Sequence, residues 1–404
     1  MSPVPIDNQQ KRADLLYLQR LLCVALLVRL GAVGLMWATD AIRLLRLSPD
    51  SERYHRFGLV IMQEMEAGYF NGPNWIDNGW FQFTGLVYYL FGPHPILIQL
   101  LNVGFSCLTI VVVFKLALTV SKSSRVARLS ALMVALFPSF IYWSCLMLKD
   151  PLAILMMSML VLGTIRLREH FTPLWLALVI LALTVFLGIR EYMFFVGIGF
   201  IAISFIFFTP YRVPRAGSWI GLATLAVVPM LYGFGWFGVD YFSNSIYTDI
   251  DYINHIRVSM GDHGSGALFQ PGAVATWGGA DLFADIYGFL KGIMFFFITL
   301  NPTDIGSVRQ LMALPEAIVG ILLLPYLVRG LQWLWLDRRS AFPLLVFGFG
   351  VMLMLVSATT NMGALFRWRM QVMPLLIIAI VIGIFWLRRG LAYRIACQLT
   401  GRDL

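Results

Sequence analysis

Long apolar runs constrain this chain before any other feature does. "YLQRLLCVALLVRLGAVGLMW" at 17–37, "PILIQLLNVGFSCLTIVVVFKLALTV" at 95–120 and "PLLIIAIVIGIFWL" at 374–387 are three of them. A helix of roughly 20 apolar residues is long enough to cross the hydrocarbon of a bilayer. Inside that hydrocarbon no water satisfies backbone N–H and C=O groups, so only helices and closed barrels span it. The alternating pattern of a barrel strand is absent. With 59% hydrophobic residues, 31 Phe and a mean hydropathy of +0.78, no soluble domain of 404 residues needs so much apolar surface. The sequence therefore predicts an all-α polytopic membrane protein.

Ten spans are expected, at about 16–38, 95–119, 128–147, 151–167, 172–189, 192–209, 217–238, 315–336, 341–358 and 370–387. The first follows Lys11, Arg12 and Arg20 as a signal peptide would, but it runs on to Trp37 without a small-residue cleavage site and reads as an uncleaved span. Cys23, Cys107 and Cys145 lie in expected spans and Cys397 in the tail, which gives neither an outer-loop disulfide nor a metal-binding pair.

The basic residues orient the chain. Lys122/Arg125/Arg128, Arg166/Arg168, Arg212/Arg215, Arg338/Arg339 and Arg388/Arg389 all fall in connectors on one side, which the positive-inside rule makes cytoplasmic, together with both termini. The stretch 286–300 is short and carries Lys291; if it crossed, the later basic clusters would face outward, so it is expected to be interfacial or re-entrant. The net charge of +9 is then an orientation signal and implies no nucleic-acid partner. A single membrane domain is expected over 1–404, with large outer loops at 39–94 and 239–314, both rich in aromatic residues, Asp and Gly and suited to amphipathic helices and loops folded over a site.

The remaining ionisable residues gather on the outer side. Asp50, Glu52, Arg53, His55 and Arg56 lie in "LSPDSERYHRFG", Lys149 and Asp150 in "MLKDPLA", Arg190 and Glu191 in "GIREYMF", and Arg367 and Arg369 in "ALFRWRMQ". Arg29 alone is placed mid-span, where a structural partner or a snorkelling side chain is the expected role. Each motif has a plain alternative. "DSERY" also fits a capped, acid-rich helix start, "KDP" a turn with Pro at the first helical position, and "RWR" an interfacial anchor. "GDHGSG" at 261–266 reads as a flexible loop, and its lone His263 is no metal signal.

Acids and cations at a membrane surface, without a nucleotide loop or a Ser-His-Asp signal, suit sugar transfer from a lipid phosphate. A carboxylate, Asp50 or Glu52, would accept the proton of the acceptor hydroxyl. Arg367, Arg369 or Lys149 would hold the departing phosphate, for which the planar fork of an arginine is well matched.

Several stretches resemble the GT-C superfamily of integral-membrane glycosyltransferases, most closely the bacterial family 39-like and dolichyl-phosphate-mannose-protein mannosyltransferase-like members. The D-x-x-x-Y from Asp50 to Tyr54 follows the first span. "FGPHP", "QLLN", "ALFPSFIYWS" and the acid opening the fourth span follow in order, and "FRWRMQVMP" with Pro374 resembles the late-span entry. The resemblance covers about 15–170 well and the rest loosely. It implies inverting transfer from a polyprenyl-phosphate sugar to a glycan, lipid or protein acceptor, at the outer face of the bacterial inner membrane, in cell-surface polysaccharide synthesis. Asp50 would be the base or would position the acceptor, Tyr54 would shape the site, Asp150 would line it beside a divalent cation in some members, and late-span arginines would bind the lipid phosphate. The sequence departs from the pattern where Ser51 separates Asp50 from Glu52 and where "LKD" precedes the fourth span. A polysaccharide polymerase or ligase, or a lipid-linked glycan transporter, is the alternative.

Overall fold

The computed structural model describes residues 8–46, 48–69, 75–207, 286, 290, 292–293, 296, 308–337, 347–348, 350–352, 365 and 367–400. These are almost all helical, with no strand among them. The helices are α1 (Asn8–Arg46), α2 (Pro49–Glu66), α3 (Trp75–Phe91), α4 (Pro95–Ser121), α5 (Ser124–Leu136), α6 (Pro138–Ser144), α7 (Asp150–Glu169), α8 (Pro173–Ile189), α9 (Glu191–Phe207), α10 (Val308–Asp337) and α11 (Met373–Thr400). Proline opens most of the early ones: α2, α4, α6, α7 and α8 all carry it in their first two positions. There its missing N–H costs nothing and its fixed φ is already helical.

Four of these helices are long and apolar enough to cross a membrane: Asn8–Thr39, Pro95–Ser121, Asp150–Glu169 and Leu314–Trp335. The pair Ser124–Leu136 and Pro138–Ser144 makes a fifth if it is one broken span, bent by 54°. The protein is membrane-embedded, but this count falls short of the ten spans expected. Three other expected spans coincide with apolar helices of 10–17 residues, Pro173–Ile189, Glu191–Ile206 and Met373–Trp386, which are shorter than a straight crossing needs. The expected span at 217–238, most of 341–358, and most of the loop at 239–314, including 261–266 and Lys291, lie outside the described residues. The stretch expected to be the first outer loop is largely helical: α1 runs on to Arg46, and α2 and α3 follow.

The bend at Pro138 has a local cause. Proline cannot donate to the carbonyl four residues back and clashes with it, and the residue before it is driven out of the α region. Phe137 accordingly has φ −64° and ψ 122°.

The chain divides into two compact units, Met1–Phe194 with Ile377–Leu404, and Phe195–Leu376. In the first, α7 is the central helix. It packs on α4 and α8, and 89% of its apolar window is buried, against 22% for α1. Lipid tails are as apolar as Leu, so between such helices close packing and polar contacts decide the arrangement. Glycines supply the close packing. A Cβ on Gly79 of α3 would lie 2.8 Å from the Gly188 carbonyl oxygen of α8, and one on Gly85 would lie 2.5 Å from Ile61 Cγ2 of α2. Hydrogen bonds from one face of α4 supply the rest. Gln99 accepts from Trp37 Nε1 (2.7 Å), Asn102 donates to the carbonyls of Leu146 (2.7 Å) and Leu148 (2.8 Å), and Ser106 accepts from Arg29 Nε (3.0 Å).

The two ends of α7 differ in chemistry. At its C-terminal end Lys122 pairs with Glu169 (3.5 Å), and in the neighbouring helices Arg128 pairs with Asp14 (2.7 Å). The connectors predicted to be cytoplasmic, 122–128 and 166–168, thus meet at one end of this unit, and Asp150 opens the other. In the second unit, α10 carries Pro315 and Pro325 and α9 packs Phe200 on Phe347 at 4.6 Å between ring centroids.

Candidate functional site

Asp150 and Arg190 form the centre of the candidate site. Asp150 is the first residue of α7, where a carboxylate meets the positive end of the helix dipole. The segment leading into it is fixed from several sides. Asn102 binds the carbonyls of Leu146 and Leu148, and Cys145 Sγ donates to the Arg29 carbonyl (3.6 Å). Arg190 is the single residue between α8 and α9, and its N–H donates to Phe186 O (2.7 Å). Arg190 Nη2 donates to Asp150 Oδ1 at 2.5 Å, and the two side chains are only 4% and 1% exposed. Nη1 donates to the Tyr192 hydroxyl at 2.8 Å, with the guanidinium 5.9 Å from the Tyr192 ring centroid. Burial works against the charge of Arg190, but Tyr192, Asp150 and Tyr54 around it hold the guanidinium above its ordinary range. Arg190 is therefore a permanent cation in a dry position, and Asp150 is its counter-ion.

Tyr54 joins this pair to α2. It is buried, packed edge-on to Trp80 at 6.2 Å and against Phe81 at 5.5 Å, and lies near enough to Arg190 to bear on its charge. The backbone contact between Gly79 and Gly188 brings this part of α3 onto the end of α8, immediately before Arg190. The spacing of Asp50 and Tyr54 sets the acid in the first turn of α2 and the tyrosine one turn later. Asp50 is half-buried there, whereas Glu52 pairs with Arg56 at 3.2 Å across an exposed face. Of the two acids, Glu52 has its partner on its own helix.

One group at this end went unassigned in the sequence. His55 Nδ1 lies 2.8 Å from the Tyr88 hydroxyl, which also donates to Met147 Sδ at 3.6 Å. Burial lowers the His55 imidazole from its ordinary value and raises the Tyr88 phenol, so both are neutral near pH 7. The contact joins residues 33 apart in sequence and a thioether from the segment before Asp150, and no local pattern announces it.

Lys149 is half-buried at the cap of α7, and Glu191 is buried at the first residue of α9, so both flank the ion pair along the chain. Arg367 and Arg369 belong to the second unit and are described within it. Arg369 is buried and donates from Nη2 to Glu316 Oε2 at 3.3 Å, while Arg367 is half-buried. Burial lowers Arg369 to about 10 against the opposing pull of Glu316, and it stays charged at neutral pH. Glu316 falls at the start of the span expected at 315–336 and is not among the candidate site residues of the sequence. An acid inside an apolar run was the available signal, since such a group is kept only with a partner.

The divalent cation that the resemblance allows does not fit these residues. Asp150 already faces a guanidinium, which would repel a metal, and among the described residues no group of three His, Cys, Asp or Glu comes together. A cleft of about 480 Å³, lined by Gln10, Ser123, Ser124, Arg125 and Arg128, lies at the basic end, away from Asp150. Arg29 takes no part in the site. It is wholly buried and donates to Ser106 and to the carbonyls of Ala25 (3.2 Å) and Ala135 (2.9 Å), which makes it a structural partner rather than a snorkelling side chain. The sequence matches no family model and no curated protein.

Proposed function

We propose that this membrane protein is an inverting glycosyltransferase that moves a sugar from a polyprenyl-phosphate donor to a cell-surface glycan, lipid or protein acceptor. The reading takes up the GT-C resemblance, with its larger number of spans, cytoplasmic termini and a site on the outer side of the bacterial inner membrane. The observation that carries it is the buried Tyr54–Arg190–Asp150 cluster, which ties the tyrosine of the D-x-x-x-Y motif to the acid that opens α7.

In this reading each group has a role set by its surroundings. Arg190 is oriented by Asp150 and Tyr192 and supplies fixed positive charge toward the departing phosphate, as electrostatic stabilisation requires. Lys149, next to Asp150 in the chain, supplies a second cation with a movable head. Asp150 is a positioning residue, because its carboxylate is spent on Arg190. Asp50 is the acid assigned to the acceptor, whose hydroxyl it holds or deprotonates. Glu191, Arg367 and Arg369 enter from the sequence alone.

Purified protein in proteoliposomes, supplied with polyprenyl-phosphate sugars, is expected to form a glycosylated product and release polyprenyl phosphate. Asp50→Asn and Asp150→Asn are each expected to lower turnover by about 100-fold or more, in the range of a lost acid–base or positioning group. Product formation surviving both changes would overturn the roles of these acids. Lipid translocation without sugar transfer would favour the transporter instead.

A further inference from the structure

We propose that the cleft at the basic end of the first unit binds a phosphate-bearing anion, with Arg125 as its principal contact. The inference concerns the end of the unit away from Asp150 and does not depend on the transferase reading. The cleft measures about 480 Å³, within the range of small-ligand sites, and is lined by Gln10 of α1, Ser123 of the α4–α5 turn, and Ser124, Arg125 and Arg128 of α5.

Donors dominate this lining. Arg125 is exposed and makes no hydrogen bond or ion pair with a described residue. Arg128 uses Nε and Nη2 on Asp14 Oδ1, at 2.8 and 2.7 Å, which leaves Nη1 without a hydrogen bond to a described residue. Ser123 stands at the N-cap of α5, but its hydroxyl does not bond back to the helix. The first N–H groups of α5, which have no acceptor inside the helix, therefore stay open as well. The walls are held together across the cleft. Ser124 Oγ donates to Asp14 Oδ2 at 2.7 Å, the Tyr17 hydroxyl donates to the Arg128 carbonyl at 3.1 Å, and the Arg128 guanidinium lies 5.3 Å from the Tyr17 ring centroid.

An unpaired acid here would favour a cation, and the described acids at this end are paired. Asp14 is buried and accepts from Gln10 Nε2 (3.2 Å), Ser124 and Arg128. Glu169 pairs with Lys122 and Arg166. The charge left over is that of Arg125, with Lys11 and Arg12 exposed on α1 nearby. A phosphate group suits such a lining because its several oxygens accept at once from a guanidinium fork, a hydroxyl and backbone N–H groups. Leu15 and Leu16 are exposed on α1 just beyond Gln10, so the cleft sits where the apolar surface of that helix begins. Its connectors are those expected on the cytoplasmic side, where basic pockets between helices hold anionic lipid headgroups. A phospholipid headgroup and a free phosphate share this chemistry.

The test follows binding to the full-length protein in detergent by native mass spectrometry and by Tm. One arm adds phosphatidylglycerol, with zwitterionic phosphatidylcholine as control; the other adds inorganic phosphate against chloride at equal ionic strength. Wild type is expected to bind one of the two anions and to gain Tm with it. Binding of the lipid alone makes the cleft a headgroup site, and a gain with inorganic phosphate makes it a free-phosphate site. Arg125→Gln is expected to raise the Kd of that ligand about 5–10-fold, the weight of one cation beside a phosphate, and Ser123→Ala about 2–3-fold, the weight of one neutral hydrogen bond. Arg20→Gln, which removes an exposed cation of α1 outside the cleft, is expected to leave the Kd nearly unchanged. The proposal is overturned if neither anion binds in preference to its control, or if Arg20→Gln weakens binding as much as Arg125→Gln does. Should Arg125→Gln not fold, unchanged binding in Ser123→Ala overturns it.

Discussion

Arg29 and Arg190 are both buried arginines of the first unit, and their partners differ in kind. Arg29 lies in the middle of α1 and binds only neutral acceptors: the Ser106 hydroxyl and the carbonyls of Ala25 and Ala135. The Ala135 carbonyl belongs to the last turn of α5, just before the break at Pro138, where carbonyls lack helical partners and a cation meets the negative end of the dipole. Arg190 instead faces a full carboxylate on a helix N-terminus, with a phenol on its other nitrogen. The first arrangement staples a bent helix to its neighbours. The second builds a buried charge pair with fixed geometry where α7 begins and α8 ends.

The largest effect expected from this difference is that of Asp150→Asn on stability. Removing one partner of a buried pair leaves an uncompensated charge, at a cost of about 3–5 kcal/mol. Unfolding in detergent is the measurement. Replacing both partners with apolar residues, Asp150→Leu with Arg190→Met, is expected to recover most of the loss, because the desolvation of both charges disappears. A loss of stability that persists in the double variant would show that the pair shapes the fold rather than only satisfying itself.

Gly79→Ala comes next. The added Cβ would meet the carbonyl oxygen, Cα and carbonyl carbon of Gly188 at 2.8, 2.9 and 3.0 Å, and backbone cannot rotate aside as a side chain can. The expected cost is about 1–3 kcal/mol, as for other overpacked contacts, together with a loss of the proposed transfer activity, since α3 carries Trp80 against Tyr54. Arg29→Met is expected to cost less, about 1–2 kcal/mol. It leaves the Ala135 carbonyl and the Ser106 hydroxyl short of a donor, but it also removes a buried charge that has no carboxylate among its hydrogen-bond partners. If Arg29→Met proved as costly as Asp150→Asn, the contrast between the two arginines would fail.

The sequence made the helices legible and left most of the contacts between them unread. Apolar runs located α1, α4, α7 and α10 because a span of that length has one stable backbone solution. Hydropathy alone makes 128–147 one span; the bend at Pro138 follows from the rule for the residue before proline. Asp150 and Arg190 were both singled out, but nothing in a linear pattern pairs residues 40 apart. The partner of Asp150 depends on the Gly79–Gly188 crossing and on Asn102 fixing the segment before α7, both set by tertiary packing. His55 was passed over for a related reason. In "DSERYHRFG" it looks like one more exposed charge, and only Tyr88 from another helix gives it a defined orientation.

The smallest expected effect uses pH to separate His55 from the two arginines. Neither guanidinium changes its charge between pH 5 and 8, so the contrast between them is silent to acid in that window. His55 is not. Its folded-state value lies below the ordinary histidine value because burial penalises the imidazolium. As pH falls through the ordinary value near 6.5, the unfolded chain takes up a proton that the folded chain still refuses. The stability this group contributes is therefore fully present above the ordinary value and drains away as pH falls from there toward the lowered folded value. Half-exposed as His55 is, the change is small, and it is read as a difference: Tm of wild type minus Tm of His55→Gln, measured from pH 8 to pH 5. That difference is expected to shift against wild type only on the acid side. A difference that stays flat would mean that His55 is solvated like a free imidazole, and the ordered ring that Tyr88 holds would lose its physical basis.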